Sequence, residues 1–346
     1  MAHRFLIKEI ALQAGVGIAT VDRVLNGRAN VREGTRRRIE QAIKELEKQE
    51  LQLATSGRKL VIDVLVEAPD RFASEIQEAL ESELPSFHPA IFRPRFHLRE
   101  TMTTAEVVDA LQSIAKRGSH GVFLKARDVP EISHAIGALQ REHIPVVTTF
   151  TDVPLSGRIA YAGLDNRVAG ATAAYLIGQW LRRSPSTVLI TMSDERFRGE
   201  EEREISFRRA IRMHYPNLDL LDASGGHGLD IPTEAKIEEA LSRNAKIAAV
   251  YSMGGGNMAI LRALEAANQV ICCFIGHDLD RDNVHLLRKR KIHAVIYHDL
   301  RQDMRSACQH VLHFHKLLPP AAISQPSSVV VVTPENLPEH IASRMR

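Results

Sequence analysis

The sequence predicts a small all-α unit followed by a two-lobed α/β body with doubly wound parallel sheets. Three observations lead there. The first 46 residues have helical periodicity broken by very short turns. From Leu60 onward, short apolar runs alternate with helical segments. The charge is also divided, with 12 Lys/Arg and 7 Asp/Glu in residues 1–60 against 33 and 35 in the rest. At 346 residues the chain has room for two domains at roughly 150 residues each.

Residues 6–14 (LIKEIALQA) place Leu6, Ile10 and Ala14 four apart, with Ile7 and Ala11 beside them, so they read as an amphipathic helix. Gly15 follows, where the chain must turn. A second helix over 18–25 has Val21, Val24 and Leu25 on one face and stops at Asn26-Gly27. A third, from about Thr35 to Leu46, turns Ile39, Ala42, Ile43 and Leu46 inward.

This spacing suits a helix-turn-helix. Ala11 is small where a second helix must approach closely, Gly15 tolerates positive φ at the turn, and Val21 anchors the second helix. The outward positions Ile18, Ala19, Thr20, Asp22 and Arg23 then reach toward base edges in a major groove. The local excess of positive charge agrees with a nucleic-acid footprint.

The run IKEIALQAGVGIATVDRVLNGRANVREGTRRRIEQAIKEL resembles the DNA-binding head of the lactose-repressor (LacI) family. The matching pieces are IKEIA, AGV, ATV, RVLNG, V-x-x-x-TR and the helix after them. The resemblance implies that Ile18, Ala19 and Arg23 read bases, while Thr20, Asn26, Thr35 and Arg36 hold the phosphate backbone. Double-stranded DNA with a pseudo-palindromic operator is the expected partner, and the chain is expected to be a homodimer, since one head reads one half-site. This chain has Gly17 and Asp22 where the family usually has Ser, and Leu6 where it usually has Thr. Asp22 either accepts from cytosine N4, orients Arg23, or pairs with a neighbouring Arg.

Residues 1–48 are assigned to the head and 49–59 to a linker or hinge. The family's Tyr-x-Pro-Asn-x-x-Ala-Arg-x-Leu hinge is missing from LEKQELQLATSGRKL. Either Leu51 or Leu53 acts as a minor-groove wedge, or the stretch is a plain linker.

In the body, buried strands are expected at 60–66, 120–126, 145–150, 158–164, 186–192, 247–253, 270–276 and 293–298. Helical patterns occupy 72–84, 104–116, 131–142, 167–183, 200–214, 233–243, 257–267 and 280–290. Such alternation implies parallel sheets covered on both faces, with ligands beyond the carboxyl ends of strands. YAGLDNRVAGATAAYLIGQWL, IGHDL and AVIYHDL resemble segments of type I periplasmic sugar-binding proteins and of LacI-family sensor domains. That likeness implies a two-lobed ligand-sensing domain over 60–346 with three crossings. Lobe one takes about 60–163 and 294–323; lobe two takes about 164–293 and 324–346. It also implies a small effector, a sugar or polyol.

Strand ends nominate Phe72 to stack on a sugar face, and Asp152, Asn257, Asp278 and His298 to bond hydroxyls. Arg203 matches the family position whose guanidinium reaches a ligand hydroxyl. Asp165 and Asn166 read as a helix cap and a crossover brace.

The alternative class is a nucleotide- or sugar-phosphate-acting enzyme fused to a DNA-binding head. GGGN at 254–257 could cradle a phosphate, but it is neither GxGxxG nor a Walker loop, and HExxH and GxSxG do not occur. No cofactor or metal is expected. Cys272 and Cys273 lie in an apolar run, and His310, His313 and His315 read as a solvated helix face rather than ligands. No apolar run reaches the roughly 18 residues that span a bilayer. MAHRFLIKEIALQAG is not a signal peptide, so a cytoplasmic protein is expected.

Overall fold

The computed structural model describes residues 4–28, 31–55, 57–181, 185–242 and 246–344, with the side chains of residues 48, 51–55 and 344 excepted. Leu51 and Leu53 as wedges therefore lie outside the described side chains.

The head is α1 (Ile7–Ala14), α2 (Ile18–Leu25) and α3 (Glu33–Thr55). Ile10, Ala11, Val21 and Ile39 form its core, all nearly inaccessible. Gly15 closes α1 at φ 62°, and its N–H reaches the Ala11 and Leu12 carbonyls. Leu6 cannot cap α1 with a hydroxyl; the Glu9 carboxylate accepts the Leu6 N–H at 3.0 Å. The third helix runs nine residues beyond Leu46, through most of the expected linker.

The first lobe contains β1 (Lys59–Glu67), α4 (Asp70–Glu83), β2 (Ile91–Arg99), α5 (Thr104–Arg117), β3 (Gly121–Lys125), α6 (Pro130–Arg141), β4 (Val146–Thr149) and β5 (Ala160–Ala162). Its strands are all parallel in the order β2-β1-β3-β4-β5.

The second lobe contains α7 (Asn166–Leu181), β6 (Ser186–Thr191), α8 (Arg198–His214), β7 (Leu218–Asp222), α9 (Asp230–Leu241), β8 (Ile247–Ser252), α10 (Asn257–Ala266), β9 (Cys273–His277), α11 (Arg281–Arg288) and β10 (Ala294–Tyr297). After α12 (Leu300–Phe314), β11 (Val330–Val332) and α13 (Glu339–Arg344) complete the described chain. The order is β11-β10-β9-β8-β6-β7, with only β11 antiparallel.

The second crossing between lobes falls later than expected. β10 pairs with β9, so 294–297 belongs to the second sheet. Only from Leu300 does the chain return to the first lobe, where Met304, Ala307, Cys308 and Val311 join Leu60 and Ile76 in one core. An apolar run fits either sheet equally well, so the pattern alone could not place it.

One contact fixes the position of α8. A Cβ at Gly170 of α7 would sit 2.1 Å from the Arg203 carbonyl oxygen, so the two helices touch backbone to backbone.

Candidate DNA-binding face and ligand cleft

On α2, Ile18, Ala19 and Arg23 are exposed, Thr20 and Asp22 are half-buried, and Val21 is inside. Asn26 is exposed just beyond the helix, while Thr35 and Arg36 are half-buried in the first turns of α3. Asp22 accepts Asn26 Nδ2 at 2.8 Å and lies 3.5 Å from Arg28. It therefore organises the end of its own helix. Arg37 and Arg38 are exposed as well, and Arg37 pairs with Glu33.

Between the lobes lies a cleft lined by loops at the carboxyl ends of parallel strands. Phe72, Lys125, Phe150 and Thr151 line it from the first lobe. Ser193, Glu200, Arg203, His277 and Asp278 line it from the second, and His298 sits at the crossing. This is where an open α/β sheet gathers polar groups, because its helix and strand ends leave a crevice there.

Asp278 stands at φ 64°, in the turn that ends β9. Its Oδ1 lies 3.4 Å from His298 Nε2, and neither atom has a hydrogen-bond partner among the described residues. His298 donates from Nδ1 to Asp303 at 2.6 Å. Burial alone would lower the His298 pKa, but the Asp303 charge and the contact to Asp278 lift it to about 9. Burial would likewise raise Asp278, but His298 and the Arg203 charge bring it down to about 2. The pair is an imidazolium facing a carboxylate. Beside it, Tyr251 and His277 share a hydrogen bond of 2.9 Å at Nε2, which leaves His277 Nδ1 buried with no hydrogen-bond partner among the described residues. Burial, together with the charge on Arg203, keeps His277 neutral.

Arg203 is held from two sides: Nε donates to Asn166 Oδ1 at 2.7 Å, and Nη1 to the Met253 carbonyl at 2.9 Å. Asn166 is thus the brace the sequence suggested, while Asp165 caps α7 by accepting the Arg167 and Val168 N–H groups. Phe72 meets Phe150 edge to face at 5.6 Å, giving the first-lobe wall an aromatic surface. Lys125 donates to the Glu67 carbonyl and sits over the Phe197 ring; burial lowers its pKa. Burial raises the pKa of Glu200, whose carboxylate receives the Ser193 N–H and hydroxyl.

Four of the six nominated ligand residues, Phe72, Arg203, Asp278 and His298, line the cleft. Asp152 and Asn257 do not. Asp152 is bound by Arg158, Thr148 and the Val153 N–H, which turn it toward the crossover face. Asn257 is buried at the start of α10, donating to Asn283 at 2.6 Å beneath the backbone of Gly276. The sequence reading missed Lys125, Glu200 and His277. Lys125 had a signal, a lone charge ending an apolar strand run. The described residues contain no group of three or more His, Cys, Asp or Glu placed to hold a metal.

The fold and cleft define a two-lobed periplasmic-binding-protein body joined to a helix-turn-helix head. The chain belongs to the family described as "Periplasmic binding protein domain", matched over residues 70–312, and its residues 6–47 match "Bacterial regulatory proteins, lacI family". It is 24% identical over 195 residues to the ribose import binding protein RbsB of Haemophilus influenzae, covering 54% of this chain and 63% of that one. It is 29% identical over 127 residues to the HTH-type transcriptional regulator TreR of Salmonella typhimurium, covering 36% and 39%. The matches thus span less than two thirds of these relatives. A glucose-galactose binding protein, GanP of Geobacillus stearothermophilus, superposes with a TM-score of 0.71 at 18% identity, over 81% of this chain and 99% of that one. A D-arabinose complex of a solute-binding protein from Burkholderia graminis gives 0.70 at 17%, over 82% and 97%.

Proposed function

We propose that the protein is a DNA-binding transcription regulator, acting as a repressor, whose operator affinity is set by a small carbohydrate-like ligand held between its lobes. It acts by binding rather than catalysis, in the cytoplasm, as a homodimer on a pseudo-palindromic operator. The observation that carries the ligand half is one cluster of three buried polar atoms without a hydrogen-bond partner among the described residues: Asp278 Oδ1, His298 Nε2 and His277 Nδ1. Leaving such atoms unbonded in a protein interior costs about 1–3 kcal/mol each, which a ligand bearing adjacent hydroxyls recovers. Acceptor and donor stand side by side, as a vicinal diol requires. The sugar-binding names of RbsB and GanP support the same reading.

Coupling to DNA requires that the ligand bind the two states of the protein unequally. The test is thermal unfolding of the full chain against sugars and polyols. A ligand at 100 times its Kd adds about 2.7 kcal/mol of stability. If no member of a broad panel shifts the transition, the carbohydrate reading fails, while the head assignment is judged separately by DNA binding.

A further inference from the structure

The sequence singles out a glycine run, Gly254-Gly255-Gly256, that the effector chemistry leaves unexplained. Arg71, next to the nominated Phe72, accounts for Gly255 at its centre. Arg71 belongs to α4 of the first lobe, yet among the described residues every polar partner of its guanidinium is in the second. Nε donates to Asp280 Oδ2 at 2.9 Å, Nη2 donates to the Gly228 carbonyl, and Asp282 lies 3.8 Å away. The side chain is only 10% exposed. Beside the Asp280 and Asp282 carboxylates, the surface that receives it is glycine backbone. A Cβ on Gly255 would stand 2.8 Å from Arg71 Nη2. One on Gly228 would meet Pro69 of the first lobe at 3.3 Å and the Gly254 carbonyl at 2.3 Å. Gly228 and Gly255 also hold φ of 66° and 88°, which disfavour any other residue. Asp280 is fixed in turn, because its Oδ1 caps α11 through the Asn283 N–H.

We propose that Arg71 is a cross-cleft latch and a specificity-determining residue. Seated in its glycine socket, it holds the lobes together at the mouth of the cleft and restricts the effector to one that fits beneath it, a single sugar ring. A longer ligand must displace the guanidinium from Asp280. Gly255 and Gly228 receive the arginine, while Gly254 is crowded by Ser193 and Glu200 and Gly256 by Thr233. A second bridge flanks the cleft, where Arg127 of the first lobe lies 3.4 Å from Asp194 of the second, and the Asp128 N–H donates to the Arg196 carbonyl at 2.8 Å. That backbone bond reports closure independently of Arg71.

The size limit rests on the effector reading above; the latch does not. The test therefore has two arms on the full chain. In the first, amide hydrogen exchange is followed without ligand in the peptide containing Asp128, for wild type, Arg71→Ala, Asp280→Ala and the double variant. The latch predicts exchange faster by about tenfold or more in each single variant, the order set by losing a charged hydrogen bond, with little further change in the double. Retained operator binding and a cooperative melt show that the variants fold. Exchange unchanged from wild type overturns the latch. In the second arm, affinities for monosaccharides and their disaccharides are compared. Arg71→Ala is expected to weaken the single ring by about tenfold and to narrow its advantage over the disaccharide. An unchanged ratio overturns the specificity role. If wild type binds neither class, the size limit falls with the effector reading, while the exchange arm still decides the latch.

Discussion

Asp278 Oδ1 and His298 Nε2 face each other at 3.4 Å inside the cleft, too long for a good hydrogen bond and close enough for two opposite charges. The arrangement suits a ligand hydroxyl that bridges both groups. It arises because β9 and β10 are neighbours, so the residues just beyond their ends converge.

The pair titrates at its extremes. The His298 pKa is raised to about 9, so its stabilising contribution is complete below its usual value of 6.5 and is lost as pH rises through 9. Asp278 is lowered to about 2, so its contribution is complete above 3.8 and is lost as pH falls through 2. Effector affinity is therefore expected to lose no His298 contribution through neutral pH and to fall above pH 9. An NMR titration of the His298 ring, with affinity measured in parallel, checks this. A ring that deprotonates near 6.5 would refute the ionised pair.

Replacing Asp278 by Asn removes the acceptor charge beside a retained imidazolium. The expected loss in effector affinity is ten- to a hundredfold, the scale of a charged hydrogen bond. Operator affinity without effector should stay close to wild type. Calorimetric titration and fluorescence anisotropy on the same preparation separate the two.

In the head, Arg23→Ala is expected to cost about 1–3 kcal/mol against the preferred operator and to relax selectivity at one base pair per half-site. Arg36→Ala should weaken all sequences more evenly and flatten the salt dependence. Anisotropy over a set of single-base operator variants at two salt concentrations distinguishes these outcomes.

Gly170→Ala should act at a distance. The added methyl would collide with the Arg203 carbonyl, so α7 and α8 must separate. Overpacking of this kind costs about 1–3 kcal/mol. The variant is expected to melt earlier and to bind effector more weakly, with head binding to DNA retained. Differential scanning calorimetry reads the first effect.

Much of this was legible in the sequence because periodicity reports burial. The head helices and the strands buried on both faces stood out as apolar patterns. The strands β2, β7 and β11 did not. IFRPRFHLR carries Pro94 and three Arg at a sheet edge, LDLLD carries two Asp in five residues at an edge of the second sheet, and VVV is three residues long and pairs on one side only. Edge strands need not be apolar on both faces, so β2 and β7 lose the signal, while β11 is too short to show a period. The cleft was partly legible for a related reason. Asp278 and His298 directly follow strong strands, and their neighbours in space follow from topology. Arg71 depends on contacts across lobes separated by some 150–200 residues in sequence, as with Gly228 and Asp280, and no local pattern carries those.

Cleft and head are expected to be coupled, and a reciprocal titration measures that coupling. Operator duplex selected from a random pool is titrated with the full chain, with and without saturating effector, and effector is then titrated with and without saturating duplex. Effector is expected to lower operator affinity by at least about fivefold, and duplex to lower effector affinity by the same factor, as linkage requires. Operator affinity unmoved at effector saturation would contradict the coupling.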